Sequence, residues 1–180
     1  VTFEPTALAG AFVVRYAPLV DERGFFARVF DFDAFADHGL ESQYPQHSVG
    51  VNVRANLVRG MHFQAGVHAE AKLVRCCVGR IFDAIVDVRV GSPTFGKWCA
   101  LELSAARPEM LYVPRGFAHG YQTLSEHSEI HYLISARYEP GAARGVRWND
   151  PDVAIAWPLA DPAVSARDAS LPLLSEIAVL

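Results

Sequence analysis

The sequence predicts an all-β fold, a sandwich or small barrel of antiparallel strands, on three observations. Most of the chain divides into short β-rich runs broken by Gly, Pro, Asn or Asp. Helical periodicity is nearly absent. The stretch Ile81-Phe82-Asp83-Ala84-Ile85-Val86-Asp87-Val88-Arg89 alternates strictly, with Ile81, Asp83, Ile85, Asp87 and Arg89 on one face and Phe82, Ala84, Val86 and Val88 on the other. Many short strands at this turn spacing pack as two sheets or close into a barrel.

The runs expected as strands are Phe12–Tyr16, Phe25–Phe30, Val58–Gln64, Leu73–Val78, Ile81–Val88, Trp98–Leu103, Met110–Val113, His119–Thr123 and Glu129–Ile134. Gly79-Arg80, between two of them, reads as a hairpin turn. One short helix is expected around Asp31 to His38, where Phe32 and Phe35 share a face and Gly39 supplies the stop. The face of the alternating run that carries Asp83 and Asp87 should be solvated or line a polar cavity. Cys76 and Cys77, adjacent in a strand, point to opposite faces and read as small hydrophobes.

At 180 residues the chain is expected to form one domain over its whole length. The formal net charge of −4 speaks against general nucleic-acid binding, which needs a basic footprint, yet leaves room for a small anion held by a few arginines. No apolar run approaches the ~20 residues of a membrane helix. Val1 to Gly10 has no basic region followed by an apolar stretch, and three cysteines make no disulfide framework. The expectation is a cytoplasmic, reduced protein.

Chemistry concentrates in two segments. In Val58-Arg59-Gly60-Met61-His62-Phe63-Gln64, strand geometry sends Val58, Gly60, His62 and Gln64 one way and Arg59, Met61 and Phe63 the other. Val113-Pro114-Arg115-Gly116-Phe117-Ala118-His119-Gly120 carries a Pro-x-Gly-x-x-His pattern that resembles the second cupin motif. Taken singly, Lys72 and Asp168 read as surface charges, Tyr132 as a core aromatic, and His62 or His119 as a packing histidine.

The constellation is more specific than its members. Arg59-Gly60-Met61-His62-Phe63-Gln64, Lys72-Leu73-Val74-Arg75, Ser92-Pro93-Thr94-Phe95-Gly96-Lys97-Trp98, Pro114 to Gly120 and Trp148-Asn149-Asp150-Pro151 closely resemble the dTDP-4-dehydrorhamnose 3,5-epimerase family. Asp21-Glu22-Arg23-Gly24-Phe25-Phe26 and Ser165-Ala166-Arg167-Asp168 fit the same family at similar spacing.

The resemblance implies a cupin, or jelly-roll, double-stranded β-sandwich barrel with a few short helices. It also implies metal-free and cofactor-free epimerisation of a nucleoside-diphosphate-4-keto-6-deoxy sugar. Such chemistry needs a base on one face of the sugar, an acid on the other, and a group that stabilises the enolate oxygen. By resemblance the base is His62, oriented by Asp168, the acid is Tyr132, and Lys72 serves the oxyanion. Arg23 and Arg59 match pyrophosphate ligands, His119 a ligand-contacting histidine, and Tyr138 an aromatic that stacks on the base. Gln46, Phe26, Arg28 and Arg167 complete the implied binding set. The family is dimeric with exchanged strands, so Arg23 is expected to serve the partner's site.

The resemblance departs at the nucleotide end. Arg28 and Ala143 stand where glutamates are expected, and the Gln46–Asn52 run is altered. A guanidinium offers donors only, which would suit cytosine better than thymine, so dTDP is the expected carrier and CDP the runner-up. Two other readings fit the fold. One is a metal-dependent cupin that uses His62, His68, Glu70 and His119. The other is a catalytically silent cupin that binds a sugar nucleotide, for which an opposed base and acid would be superfluous.

Overall fold

The computed structural model describes residues 1–177. Strands β1 (Thr2–Pro5) and β2 (Phe12–Arg15) are followed by a separate hairpin, β3 (Leu19–Asp21) with β4 (Gly24–Phe26), and by helix α1 (Phe32–Asp37). The body of the chain is β5 (Gln46–Asn52), β6 (Leu57–Gln64), β7 (Lys72–Val78), β8 (Arg80–Asp87), β9 (Trp98–Ser104), β10 (Glu109–Val113), β11 (Phe117–Thr123) and β12 (Ser128–Ile134). Short pieces follow: β13 (Ala143–Gly145), β14 (Ala163–Val164), α2 (Ala166–Ala169) and α3 (Leu174–Ile177). The first sheet runs β1-β2-β10-β7-β12-β5, and the second runs β13-β6-β11-β8-β9 with β14 parallel to β6. This is the cupin jelly-roll sandwich.

Alternation explains the layers. Inward residues of both sheets meet in one cluster, with Val74, Cys76, Leu111, Val113 and Ile130 facing Ile81, Ile85, Leu103, Phe117 and Tyr121. The outer face of the second sheet is covered by the C-terminal region, where Val153, Leu174 and Ile177 pack on Ala84, Val86 and Ala118. The outer face of the first sheet is covered by α1, whose Phe35 is fully buried against Leu73, Met110 and Tyr112. β8 is therefore buried on both faces.

Several expectations need correction. Gly79-Arg80 is not a hairpin: β7 pairs with β10 and β12, whereas β8 pairs with β11 and β9, so the chain bends there from one sheet into the other. Gly79 permits the bend, because it sits at φ +75° and a Cβ would collide with Ser125. The strand expected over Phe25–Phe30 stops at Phe26; the chain must turn to reach Asp31, which caps α1 by accepting from Ala34 N–H at 3.1 Å. Phe32 does not share Phe35's burial and is half exposed. Cys77 is only partly buried.

Asp83 and Asp87 do not point to water; both are fully buried. Asp87 accepts from Arg89, Ser92 and Thr94, and these bonds hold its carboxyl well below the usual carboxylate range against the opposing effect of burial. The Ser92–Thr94 segment is thus a structural lock at the end of β8. Among the described residues, no helix is long and apolar enough to cross a membrane.

Phe35 packs edge-on to Phe3 and tilted on Phe30, with centroids 5.0 and 4.9 Å away. Phe35→Ala should cost about 3–5 kcal/mol in urea denaturation, the range for emptying an aromatic core site. Phe32→Ala should stay within about 0.5 kcal/mol, as expected at an exposed position. Equal losses would refute the assigned faces.

Candidate active site

The inward faces that make the core also carry polar groups at one end of the sandwich. β6 and β11 of the second sheet bring His62 and His119 directly opposite each other in register. β7 and β12 of the first sheet bring Lys72 and Tyr132. His62, Lys72, His119 and Tyr132 line one cavity of about 280 Å³ together with Arg59, Tyr121 and the β5 residues Ser48 and Gly50. Gly60 lets β6 and β11 approach so closely here, since a Cβ on it would lie 2.5 Å from the Gly120 Cα.

His62 Nε2 is 2.8 Å from Asp168 Oδ1, and Asp168 Oδ2 accepts from the Gly60 N–H at 3.1 Å. Asp168 is no surface charge: it is buried on α2, whose Ser165 cap accepts from its N–H at 3.1 Å. β14 fixes the position of this turn by pairing with Leu57–Val58. A carboxylate only accepts, so the bonded Nε2 carries the proton and the other ring nitrogen, Nδ1, keeps its lone pair. Burial pulls the pKa of His62 below the ordinary imidazole value; Asp168 raises it by less, and Lys72 and Arg167 lower it further. The ring is neutral near pH 7 and fit to accept a proton.

Lys72 is no surface charge: its side chain is 12% exposed, with Nζ 3.2 Å from both the His62 carbonyl and Glu70 Oε1. An ammonium has three donors, so one remains for a ligand. Burial pushes the Tyr132 hydroxyl well above its ordinary pKa, and neighbouring Tyr121 and Asp83 act in the same direction, so it stays protonated at neutral pH. His119 is buried, with Nε2 2.7 Å from Asp83 Oδ1 and its ring edge-on to Tyr132.

Two further cavities adjoin at His62. One, of about 300 Å³, brings in Gln46, Tyr138, Arg144 and Arg167, and the other, of about 470 Å³, brings in Arg54, Arg59 and Arg167. Tyr138 is 57% exposed, and its N–H donates to Gln46 Oε1 at 2.6 Å. Arg59 Nη1 donates to Asn52 Oδ1 at 3.4 Å.

Three residues expected at the site are not brought to it within this chain. Arg23 is paired with Asp21, and Phe26 stands 73% exposed on the β3–β4 hairpin. Arg28 donates to Asp31 Oδ2 at 2.9 Å, beside α1. The ligand quartet of the metal reading is also dispersed: His62 bonds Asp168, Glu70 pairs with Lys72, His119 bonds Asp83, and His68 lies on an exposed turn. Among the described residues, no three His, Cys, Asp or Glu side chains gather as a metal site.

Sequence reasoning missed Glu70 as the partner of Lys72, Arg144 and Arg54 on the cavity walls, and Asp83 as the partner of His119. Only Asp83 carried a signal, its place on the alternating face beside buried isoleucines.

A cupin sandwich with a histidine–carboxylate pair, a lysine and a tyrosine turned into its interior offers the groups that an acid–base enzyme needs. Comparison with known proteins narrows the class. Residues 5–176 match the family model of dTDP-4-dehydrorhamnose 3,5-epimerase. The chain is 40% identical over 173 residues to the dTDP-4-dehydrorhamnose 3,5-epimerase of Salmonella typhimurium, covering 95% of this chain and 94% of that one. Among solved structures it resembles the dTDP-4-dehydrorhamnose 3,5-epimerase of Elizabethkingia anophelis, with a TM-score of 0.94, 35% identity, and coverage of 98% of this chain and 97% of that one. It also resembles a 3'-monoepimerase of Streptomyces bikiniensis in complex with dTDP-quinovose, with a TM-score of 0.89, 32% identity, and coverage of 95% and 87%. The chain belongs to the dTDP-4-dehydrorhamnose 3,5-epimerase family, enzymes of the isomerase class.

The His62 ring resonances followed by NMR should titrate with a midpoint below the ordinary ~6.5 of imidazole. Asp168→Asn removes a group that raises this pKa, so the midpoint should fall further. Because the folded-state value is depressed, the stability tied to neutral His62 is present above ~6.5 and is lost as pH falls through the folded midpoint. A midpoint above 6.5, or one raised by Asp168→Asn, would contradict the burial argument.

Proposed function

We propose that this protein inverts one or both carbons, C3 and C5, beside the keto group of a dTDP-4-keto-6-deoxy hexose. The observation that supports it most directly is that His62 and Tyr132 stand on opposing sheets and line the same cavity, with Lys72 reaching across from the sheet of Tyr132 to the His62 carbonyl. The neutral His62, through Nδ1, takes the proton from the carbon next to the ketone. The electron pair of the broken C–H bond moves into the enolate, whose oxygen is met by the free donor of Lys72. Asp168 stabilises the imidazolium as it forms. Tyr132 delivers its proton to the other face of the carbon, and exchange with solvent then restores both groups to their starting states.

The nucleotide end follows from charge and shape. Arg59 and Arg167 suit a diphosphate, whose oxygens match the guanidinium fork, and Tyr138 at the mouth offers a flat face for the base. Arg28 is engaged with Asp31 within its own chain, and the likeness to relatives named for dTDP sugars supports dTDP as the carrier we infer.

Dimerisation is part of the proposal. The β3–β4 hairpin pairs with no other strand among the described residues and exposes Leu19, Val20, Phe25 and Phe26, while the edge strand β5 exposes Val49 and Val51. Two such apolar surfaces fit a second copy of the chain, and only through a partner can Arg23, Phe26 and Arg28 reach a His62 site. Phe26→Asp should therefore lower both the mass seen by light scattering and the affinity for dTDP. A monomeric wild type with full activity would end this reading.

The decisive experiment is proton–deuterium exchange on a dTDP-4-keto-6-deoxy hexose, followed by NMR at each carbon. His62→Ala should abolish exchange beside the ketone, a loss of about 10²–10⁴-fold for removal of a general base. Tyr132→Phe should spare exchange more than inversion, since the abstracted proton can still be returned to the same face. Equal loss of exchange and inversion in Tyr132→Phe would refute the two-face assignment.

A further inference from the structure

Residues 135–142 join β12 of the first sheet to β13 of the second, and Tyr138 lies in the middle of this link, at the mouth of the cavity that holds Gln46, His62 and Lys72. Residues 137–139 belong to no strand or helix. A ring that is 57% exposed on irregular backbone would have no fixed place unless other groups held that backbone.

Two glutamines hold it. Gln64, at the end of β6 and only 5% exposed, spends its whole carboxamide on main chain. Its Nε2 donates to the Arg137 carbonyl at 3.2 Å and to the His68 carbonyl at 3.1 Å, and its Oε1 accepts from the Glu139 N–H at 2.6 Å. Gln46, on β5 of the opposite sheet, accepts from the Tyr138 N–H at 2.6 Å. Consecutive residues 137, 138 and 139 are therefore held from the second, the first and again the second sheet. Gln64 grips the residues immediately before and after Tyr138. Two residues along the same strand from His62, it makes no bond to His62, Asp168 or Lys72.

We propose that Gln64 is a positioning residue for Tyr138: it fixes the aromatic ring across the cavity mouth and so sets the affinity for the nucleotide base, without taking part in proton transfer. The proposal rests on the sugar-nucleotide reading above. The same three bonds also couple the exposed turn at His68 to the Tyr138 segment.

The test is a double-mutant cycle on the full-length protein, with dTDP affinity measured by calorimetry and kcat measured on the 4-keto substrate. Gln64→Met keeps the length of the side chain and removes all three bonds. It should weaken dTDP binding about tenfold and change kcat less than about twofold, the pattern of lost ground-state binding. In a Tyr138→Ala background the same substitution should change affinity less than about twofold, because contacts acting through one shared group do not add. Gln64→Leu, which also removes all three bonds and adds no charge, should match Gln64→Met, and it serves in place of Gln64→Met if the latter fails to give a cooperative thermal melt. Independent, multiplying losses in the double mutant, or a fall in kcat at unchanged affinity, would overturn the proposal. Unchanged dTDP affinity in Tyr138→Ala alone would overturn the stacking role of Tyr138 and this proposal with it. Failure of the wild type to bind dTDP would overturn the sugar-nucleotide reading itself.

Discussion

Asp168 uses its two carboxylate oxygens for two different purposes, one on the His62 imidazole and one on the Gly60 amide. The second bond matters as much as the first, because it locks the carboxylate to the strand that carries the histidine. Gly60 is also the residue whose missing side chain lets β6 approach β11, so the same point sets the spacing between His62 and His119. The turn bearing Asp168 is held beside β6 by β14, a two-residue strand lying parallel to the start of that strand. The position of Asp168, and with it the tautomer of the His62 ring, depends on that contact.

The sandwich places charge where a β core ordinarily places only apolar side chains. An uncompensated buried carboxylate costs several kcal/mol, so each must be answered within the fold. Asp87 is answered by three neighbouring side chains, Asp83 by His119, and Glu70 by Lys72. Only the first group is complete: Asp83 Oδ2 and Glu70 Oε2 find no partner among the described residues. The filled network closes the far end of β8, away from the cavity, and the half-filled pairs lie beside the cavity itself. Rigidity and reactive capacity are thereby separated along the same interior.

Period-2 patterning made the sandwich legible, because a strand buried on one face, or on both like β8, still sorts its residues by parity. It could not assign strands to sheets. Val78, Gly79 and Arg80 look like a hairpin locally, and only the pairing of β7 and β8 with different neighbours makes the stretch a bend between layers. The site was legible to the extent that motifs carried it: His62, Lys72, Tyr132 and Asp168 come from segments far apart in the chain, and nothing in local pattern joins them. The pairing of Glu70 with Lys72 and the place of Arg144 were invisible for the opposite reason, since a lone charge in a short loop or strand has no periodicity to betray its burial. Arg23, Phe26 and Arg28 were identified by motif, yet their geometry sends them away from the cavity of their own chain.

The late place of Asp168 has a temporal consequence. Every strand of both sheets precedes it, and a ribosome delivers residues in that order. The growing chain holds all the strands of the sandwich, including those that carry His62, Lys72 and Tyr132, before the residue that bonds His62 has been made. Until then His62 lacks the carboxylate that fixes its tautomer. The order of synthesis therefore puts the walls of the cavity before the carboxylate that His62 pairs with.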